Sequence, residues 1–519
     1  MTTTHPVREH AGPGAAALVA PPAITGATPE QATPHERATS ALRRILSNTM
    51  LSLAGQAVTW TSTLLLTMAY GRFLGDVRFG QLYFAITFVA LIGFPLEFGF
   101  NQQLIRDVAQ MPEKALRYLS STLLLKIALW IVLYGVILLA SWLLGYSEQE
   151  RLLVATAGVT LLCAAMASTF GSLHYAVQRA VFPVFGTIIE KGIGAAVGIF
   201  LLHLGAGVQE MTFVLLGGAA ASLVWQSAWF FRVVGTGFYF DLRHITELVR
   251  GGLPFLIYGV LGVIYYRVDT VLLSLWTNDA VVGWYGAGYR LFDTLCFLPN
   301  VVIMAILYPV FARYSVTSRD QLKLAVEKTM GLLMVVAIPI ATGMICVAPA
   351  IVGFLYHREE FRQTMPVLQA LAPGLVFLYA NSVVSTVLMS TKQEKKITIM
   401  AAVALIFNLG VNVVLIPRLE HVGAALATSA TELLLLVAGL ALLEPALRPW
   451  RSLKMVAKAL LASVAMAGAV LATDRSNIWV ILPVAIVVYF GLTAVLGTIP
   501  RDDLRALTQA FAGKLGRRA

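Results

Sequence analysis

Arg267 and Asp269, two residues apart, and Arg290 and Asp293, three apart, lie inside long apolar runs of this sequence. So do Glu97 with Asn101 four residues on, the neighbours Glu190 and Lys191, and Lys126. A charge near the middle of a membrane helix costs about 2.5–3.5 kcal/mol on insertion scales, so each needs a partner, a water-filled cavity or a function. Arg290 and Asp293 can neutralise each other along one helical turn. Arg267 and Asp269 point to different sides of a helix and must look elsewhere, which favours a cavity. Lys126 falls about two turns into its run and is read as snorkelling to the interface. Lys191 also lies within a few turns of the start of its run, so snorkelling and cavity lining both stay open for it. Tyr265, Tyr266, Trp284, Tyr285 and Tyr289 gather beside the two arginines. Interfacial belts explain such aromatics by default, and stacking against sugar rings is the sharper alternative.

The remaining polar residues suggest no reaction chemistry. Cys163, Cys296 and Cys346 stand singly in apolar stretches and the eight histidines are scattered, so no disulfide framework, metal site or cofactor motif is readable. Ser52, Gln56, Thr59 and Thr63 share one face of the first apolar run, and Asn408 and Asn412 lie one turn apart. Both sets fit helix–helix hydrogen bonding as well as a ligand groove. Prolines within the runs, Pro95, Pro299, Pro339, Pro373 and Pro483 among them, permit bending.

The elements that must position these residues are membrane helices. With 58% hydrophobic and 13% charged residues and a mean hydropathy of +0.78, the chain cannot hide its apolar surface in water. Apolar runs of about 20 residues recur from Ser47 to Gly497, giving roughly fourteen crossings. The expected fold is an all-α polytopic membrane protein of two pseudo-symmetric six-helix lobes plus two C-terminal helices. Residues 1–44 read as a disordered tail, 45–235 as the first lobe and 236–251 as a linker. The second lobe follows at 252–445, the last two helices at 446–498 and a tail at 499–519. A short repeat supports the two lobes: Asp76 precedes Gly80 by four residues, as Asp279 precedes Gly283.

Alternate loops carry roughly 27 of the 38 lysines and arginines against about seven in the others, which places both termini on the cytoplasmic side. The net charge of +11 is spread over short clusters rather than one face, so nucleic acid is not an expected partner. All loops are short, leaving no room for an extramembrane catalytic domain of the kind a membrane glycan polymerase or ligase needs. The expectation is a protein that is not an enzyme.

Four stretches carry a family resemblance. Gly71-Arg-Phe-Leu-Gly75 with Gly80, Leu96–Arg106 (LEFGFNQQLIR), Arg267-Val-Asp269 followed by Gly283–Arg290, and Asn412–Pro417 followed by Gly423–Thr428 resemble the polysaccharide-export flippases. These are the Wzx-type members of the MOP superfamily, related to MATE exporters and lipid II flippases. Gly288 stands where alanine is usual, and Glu420 where glycine is common. The resemblance implies two lobes around a central cavity in the bacterial inner membrane. It also implies transfer of an undecaprenyl-diphosphate-linked oligosaccharide to the periplasmic leaflet for O-antigen, exopolysaccharide or capsule. On that basis Arg267, Arg290 and Lys191 are expected to offset diphosphate charge, Asp269 and Glu97 to hold or titrate against them, and Tyr266 and Tyr289 to line the substrate site. Membrane lipids and a polysaccharide polymerase are the expected partners, and a monomer the expected unit. A MATE-type drug or cation antiporter and a lipid II flippase are the alternatives.

Overall fold

The computed structural model describes residues 34–498 apart from 98, 238, 240–241, 304–306 and 474–476. The sequence expectations for residues 1–33 and 499–519 lie outside the described residues. Within them every regular element is a helix.

Helix α1 (Pro34–Gly93) opens inside the stretch read as the N-terminal tail and joins two helices across Gly75. At φ +78° and ψ 177°, that position suits a residue without Cβ. Pro95, which has no N–H to donate, then stops the second crossing. A single 3₁₀ turn, Phe94–Leu96, separates α1 from α2 (Phe100–Gln110). Next come α3 (Ala115–Leu143) and α4 (Glu148–Ala176). Ser147 starts α4 with a capping box, its hydroxyl accepting from Glu150 N while the Glu150 carboxylate accepts from Ser147 N at 2.8 Å. One crossing is assembled from α5 (Val181–Thr187), a π turn over Ile188–Ile193 and α6 (Gly194–His203). Helices α7 (Val208–Val234), α8 (Leu242–Trp276), α9 (Asp279–Val302), α10 (Tyr308–Thr317) and α11 (Arg319–Cys346) follow. The chain continues through α12 (Ala348–Tyr356), α13 (Thr364–Ser390), α14 (Glu394–Leu442), α15 (Leu453–Leu471) and α16 (Ile478–Val495).

Among the described residues eleven stretches are long and apolar enough to span a bilayer. Two of them, Met50–Gln110 and Glu394–Leu442, each contain two helices joined at a kink, and α9 adds one more. The total agrees with the fourteen or so crossings expected. The kink in α14 falls on Glu420 at φ 49°, ψ −126°, a conformation that costs a residue with a side chain about 1–3 kcal/mol. This is the position where the family resemblance leads one to expect glycine.

Two compact units emerge. The first holds Ala85–Val260 with the described residues up to Leu66, and the second holds Thr67–Phe84 with the described chain from Leu261 onward. In the first, α4 lies against α7 around Leu104, Leu119, Phe170, Leu173 and Phe230, with the Phe170 and Phe230 rings edge to face at 5.6 Å. In the second, α13 is the hub, packed against α9, α11 and α14. Tyr489 of α16 donates to Val335 O of α11 at 2.6 Å, tying the last helix to the unit.

The two copies of the sequence repeat meet inside the second unit. A Cβ on Gly80 would lie 1.9 Å from Asp279 O, and one on Gly283 would lie 2.2 Å from Asp76 O, so the two backbones cross in direct contact. The bonds around this crossing are reciprocal. Asp76 accepts from Trp284 Nε1 and Asp279 from Gln81 Nε2, each at 2.9 Å. In each copy the residue following the glycine thus bonds the aspartate of the other.

Candidate functional site

Most of the expected site residues come together in the second unit, where α8 and α9 run beside the Thr67–Phe84 segment of α1. Arg267 of α8 donates from Nη2 to Asp293 Oδ2 of α9 at 3.0 Å. Its guanidinium carbon stands 5.6 Å from the centroid of the Tyr289 ring. The side chains of Arg267 and Asp293 stay 28% and 29% exposed, so this ion pair is only partly desolvated. The reading in which Arg290 neutralises Asp293 along one helix is therefore corrected: the neighbouring helix supplies the cation. Arg290 lies over the Tyr83 ring at 5.5 Å, and no described carboxylate forms an ion pair with it.

Asp269 is buried and occupied elsewhere. Tyr285 OH donates to its Oδ2, and Thr270 N to its Oδ1 at 2.7 Å. The two-residue offset from Arg267 does send the two side chains to different partners, as expected from helix geometry. Tyr266 is 36% exposed, and its ring lies 4.7 Å from that of Tyr265. Tyr289 is buried within a run of rings, 5.2 Å from Tyr285 and 5.5 Å from Phe292.

Three hydroxyls stand out near the arginines. Tyr70, Tyr83 and Tyr289 are more than nine-tenths buried, yet their OH groups find no hydrogen-bond partner among the described residues. A buried hydroxyl left unpaired costs about 1–3 kcal/mol, so three in one neighbourhood suit a site built to meet polar groups. Arg267 commits one of its five N–H donors to Asp293, and the others can serve the oxygens of an anion. Phosphate oxygens are the natural complement.

Sequence reasoning missed a neighbouring cluster. Glu432 of α14 is buried and accepts from Tyr265 OH and from Asn381 Nδ2, each at 2.7 Å. The rule that singles out acids in apolar runs applies to Glu432 as well, whereas Tyr83 carries no signal short of the fold. Asn408 and Asn412 are fully buried and bond each other at 2.9 Å, with Asn408 reaching Thr431 at 3.2 Å. They join helices rather than line a groove.

The first unit holds the other expected residues. Lys191 lies in the π turn and pairs with its neighbour Glu190 at 2.6 Å, keeping 43% of its side chain exposed. Glu97 sits at the break in the second crossing, where Ser168 Oγ and Asn101 Nδ2 donate to it. Its charge partner is Lys126, with Nζ 3.9 Å from Oε1. Lys126 does not snorkel: its side chain is 0% exposed, because α2 and α4 close over it and supply acceptors at depth.

Comparison with known proteins fits this architecture. Residues 45–315 match the model of a family described as polysaccharide biosynthesis protein, and residues 254–414 that of the MatE family. A curated relative, the probable low-salt glycan biosynthesis flippase Agl15 of Haloferax volcanii, is 20% identical over 366 residues, 69% of this chain and 75% of that protein. Among solved structures, lipid II flippase MurJ in an inward closed conformation superposes with a TM-score of 0.70 at 16% identity, covering 86% of this chain and 98% of that one. An inward-facing multidrug resistance MATE transporter of the MOP superfamily gives 0.59 at 14% identity, covering 77% and 95%. At such identities the likeness concerns the fold.

Proposed function

The chain belongs to the family of polysaccharide biosynthesis proteins, whose model it matches over slightly more than half its length, and from that premise we propose that it is a flippase for a lipid-linked oligosaccharide. The substrate is an undecaprenyl-diphosphate-linked glycan, moved from the cytoplasmic to the periplasmic leaflet of a bacterial inner membrane. O-antigen, exopolysaccharide or capsule assembly consumes it, through a polymerase on the far side. Both termini of the flippase, a monomer, are cytoplasmic.

One observation carries this reading: two arginines with donors to spare stand among buried, unpartnered tyrosine hydroxyls inside apolar helices. A polyprenyl tail is at home in hydrocarbon, whereas a diphosphate and its sugars cannot cross it unsatisfied. The protein therefore has only to shelter the head. Arg267 and Arg290 offset the diphosphate, the Tyr289 hydroxyl donates to it, and the open Tyr266 ring meets a sugar face. Asp293 holds Arg267 in place, and Asp269 holds Tyr285. No covalent bond changes, so no catalytic residue is required. A cationic drug would be repelled by the same arginines, which speaks against the antiporter reading.

The test is export in a strain lacking its own flippase. Arg267→Ala and Arg290→Ala should each lower surface glycan at least about tenfold, the loss of a single charge-assisted contact, with unchanged membrane levels. Mass spectrometry of the co-purified lipid should find a diphosphate-linked glycan. Full export by both variants would remove the assignment.

A further inference from the structure

We propose that the break in the second crossing is a subsite for sugar hydroxyl groups, and that Lys126 makes it one by standing where a monovalent cation would otherwise sit.

The interruption leaves Glu97 between the 3₁₀ turn and α2, with Asn101 one turn further on. Discontinuous membrane helices occur at binding sites in transporters, where irregular backbone is tolerated because protein buries it or because it lines a water-filled cavity. Ser168 Oγ lies 2.9 and 3.0 Å from the two carboxylate oxygens of Glu97, although it is also 2.9 Å from Ala165 O and has one proton to give. Asn101 Nδ2 donates to Oε2 at 3.0 Å. Beneath them Lys126 Nζ donates to Ala165 O at 2.9 Å and to Asn101 Oδ1 at 3.3 Å, with Ser168 Oγ at 3.5 Å and Glu97 Oε1 at 3.9 Å.

Two consequences follow from charge and valence. A sodium or potassium ion on this carboxylate would lie within a few ångströms of a fully buried ammonium and be repelled by it. A neutral hydroxyl meets no such repulsion. An ionised carboxylate offers about four lone-pair positions. Ser168 and Asn101 leave some of them free on the 34% of the Glu97 side chain that stays open. The ammonium also fixes which way the Asn101 amide faces, since its oxygen receives Lys126 and its nitrogen gives to Glu97. Lys126 is thus a positioning residue, and Glu97 is the group that meets the ligand. The ligand is the saccharide part of the lipid-linked substrate, so the inference rests on the flippase reading.

The experiment uses the purified full-length chain in nanodiscs, with undecaprenyl diphosphate, undecaprenyl-diphosphate-N-acetylglucosamine and sodium chloride as probes, choline chloride serving as the salt control. The wild-type chain should hold the sugar-bearing lipid about fivefold more tightly than the bare one, as one or two net hydrogen bonds would give. Glu97→Gln should erase that preference without weakening bare undecaprenyl diphosphate. The double variant Glu97→Gln with Lys126→Met, which leaves no buried charge alone, should do the same. Sodium should not raise the melting temperature of the wild-type chain, and should raise it in Lys126→Met. Equal binding of both lipids by the wild type, a sugar preference that survives Glu97→Gln, or sodium stabilisation of the wild type that requires Glu97 would each overturn the subsite. Binding of neither lipid would sink the flippase reading and the subsite with it. A loss of both lipids in Arg267→Ala, together with an intact sugar preference in Glu97→Gln, would sink the subsite alone.

Discussion

Lys126 in the first unit and Arg267 in the second are both cations in apolar helices, and the protein treats them in opposite ways. Lys126 is sealed, its ammonium wrapped by a carbonyl, an amide oxygen and a serine, with its carboxylate partner on the open side. Arg267 is itself partly exposed, sharing that exposure almost equally with Asp293 and resting over an aromatic ring. A compact ammonium can be enclosed by three or four acceptors, whereas a guanidinium has five donors in a flat fork and keeps some of them facing outward. The first arrangement presents an anion steadied from behind. The second presents a cation steadied from the side.

Breaking the sealed pair has the largest expected effect. Lys126→Met leaves Glu97 without its ammonium and should cost about 3 kcal/mol of stability, near the low end for splitting a buried pair because Glu97 is a third open. Adding Glu97→Gln should recover more than half of that loss, and thermal unfolding of the two variants in detergent measures it. Equal melting temperatures for Lys126→Met and wild type would mean that the lysine is not a structural counter-charge. In the open pair the loss should fall on export instead. Arg267→Lys keeps the charge but loses the fork and the ring contact, so surface glycan should drop about three- to tenfold, with stability changed by less than about 1 kcal/mol because the pair is only partly desolvated. Tyr289→Phe sharpens the comparison at its fine end. Removing a hydroxyl that has no partner among the described residues should leave stability unchanged or slightly improved while export falls about two- to threefold. A destabilised Tyr289→Phe would show that this hydroxyl serves packing rather than substrate.

The number of crossings was legible because about 20 apolar residues are needed to cover the hydrocarbon, and that requirement is written residue by residue. Pro95 was legible only as a place where the run could bend, whereas the structure interrupts the helix there. What the sequence could not disclose was which charges meet. Asp293 looked like a partner for Arg290 at a spacing of three, but the closer guanidinium comes from another helix. Lys126 looked shallow because depth was judged from the start of its own run, while burial depends on α2 and α4 folding over it. The Asp-x-x-x-Gly repeat was visible as a pattern, yet nothing in the pattern said that its two copies face one another. Pairings across helices are properties of the assembled unit, and one helix read alone carries only half of each.

The grouping of Thr67–Phe84 with the second unit has a practical result for dissecting the molecule. The polypeptide changes unit at 66–67, again at 84–85 and again at 260–261, so a cut in the connection before α8 does not yield two complete halves. A fragment beginning at Leu242 would lack Asp76, Gly80, Gln81 and Tyr83, and with them one side of the reciprocal glycine crossing and the ring beneath Arg290. Chimaeras that exchange halves between relatives must therefore carry this eighteen-residue insert along with the later part of the chain, or they will mate a crossing with the wrong counterpart.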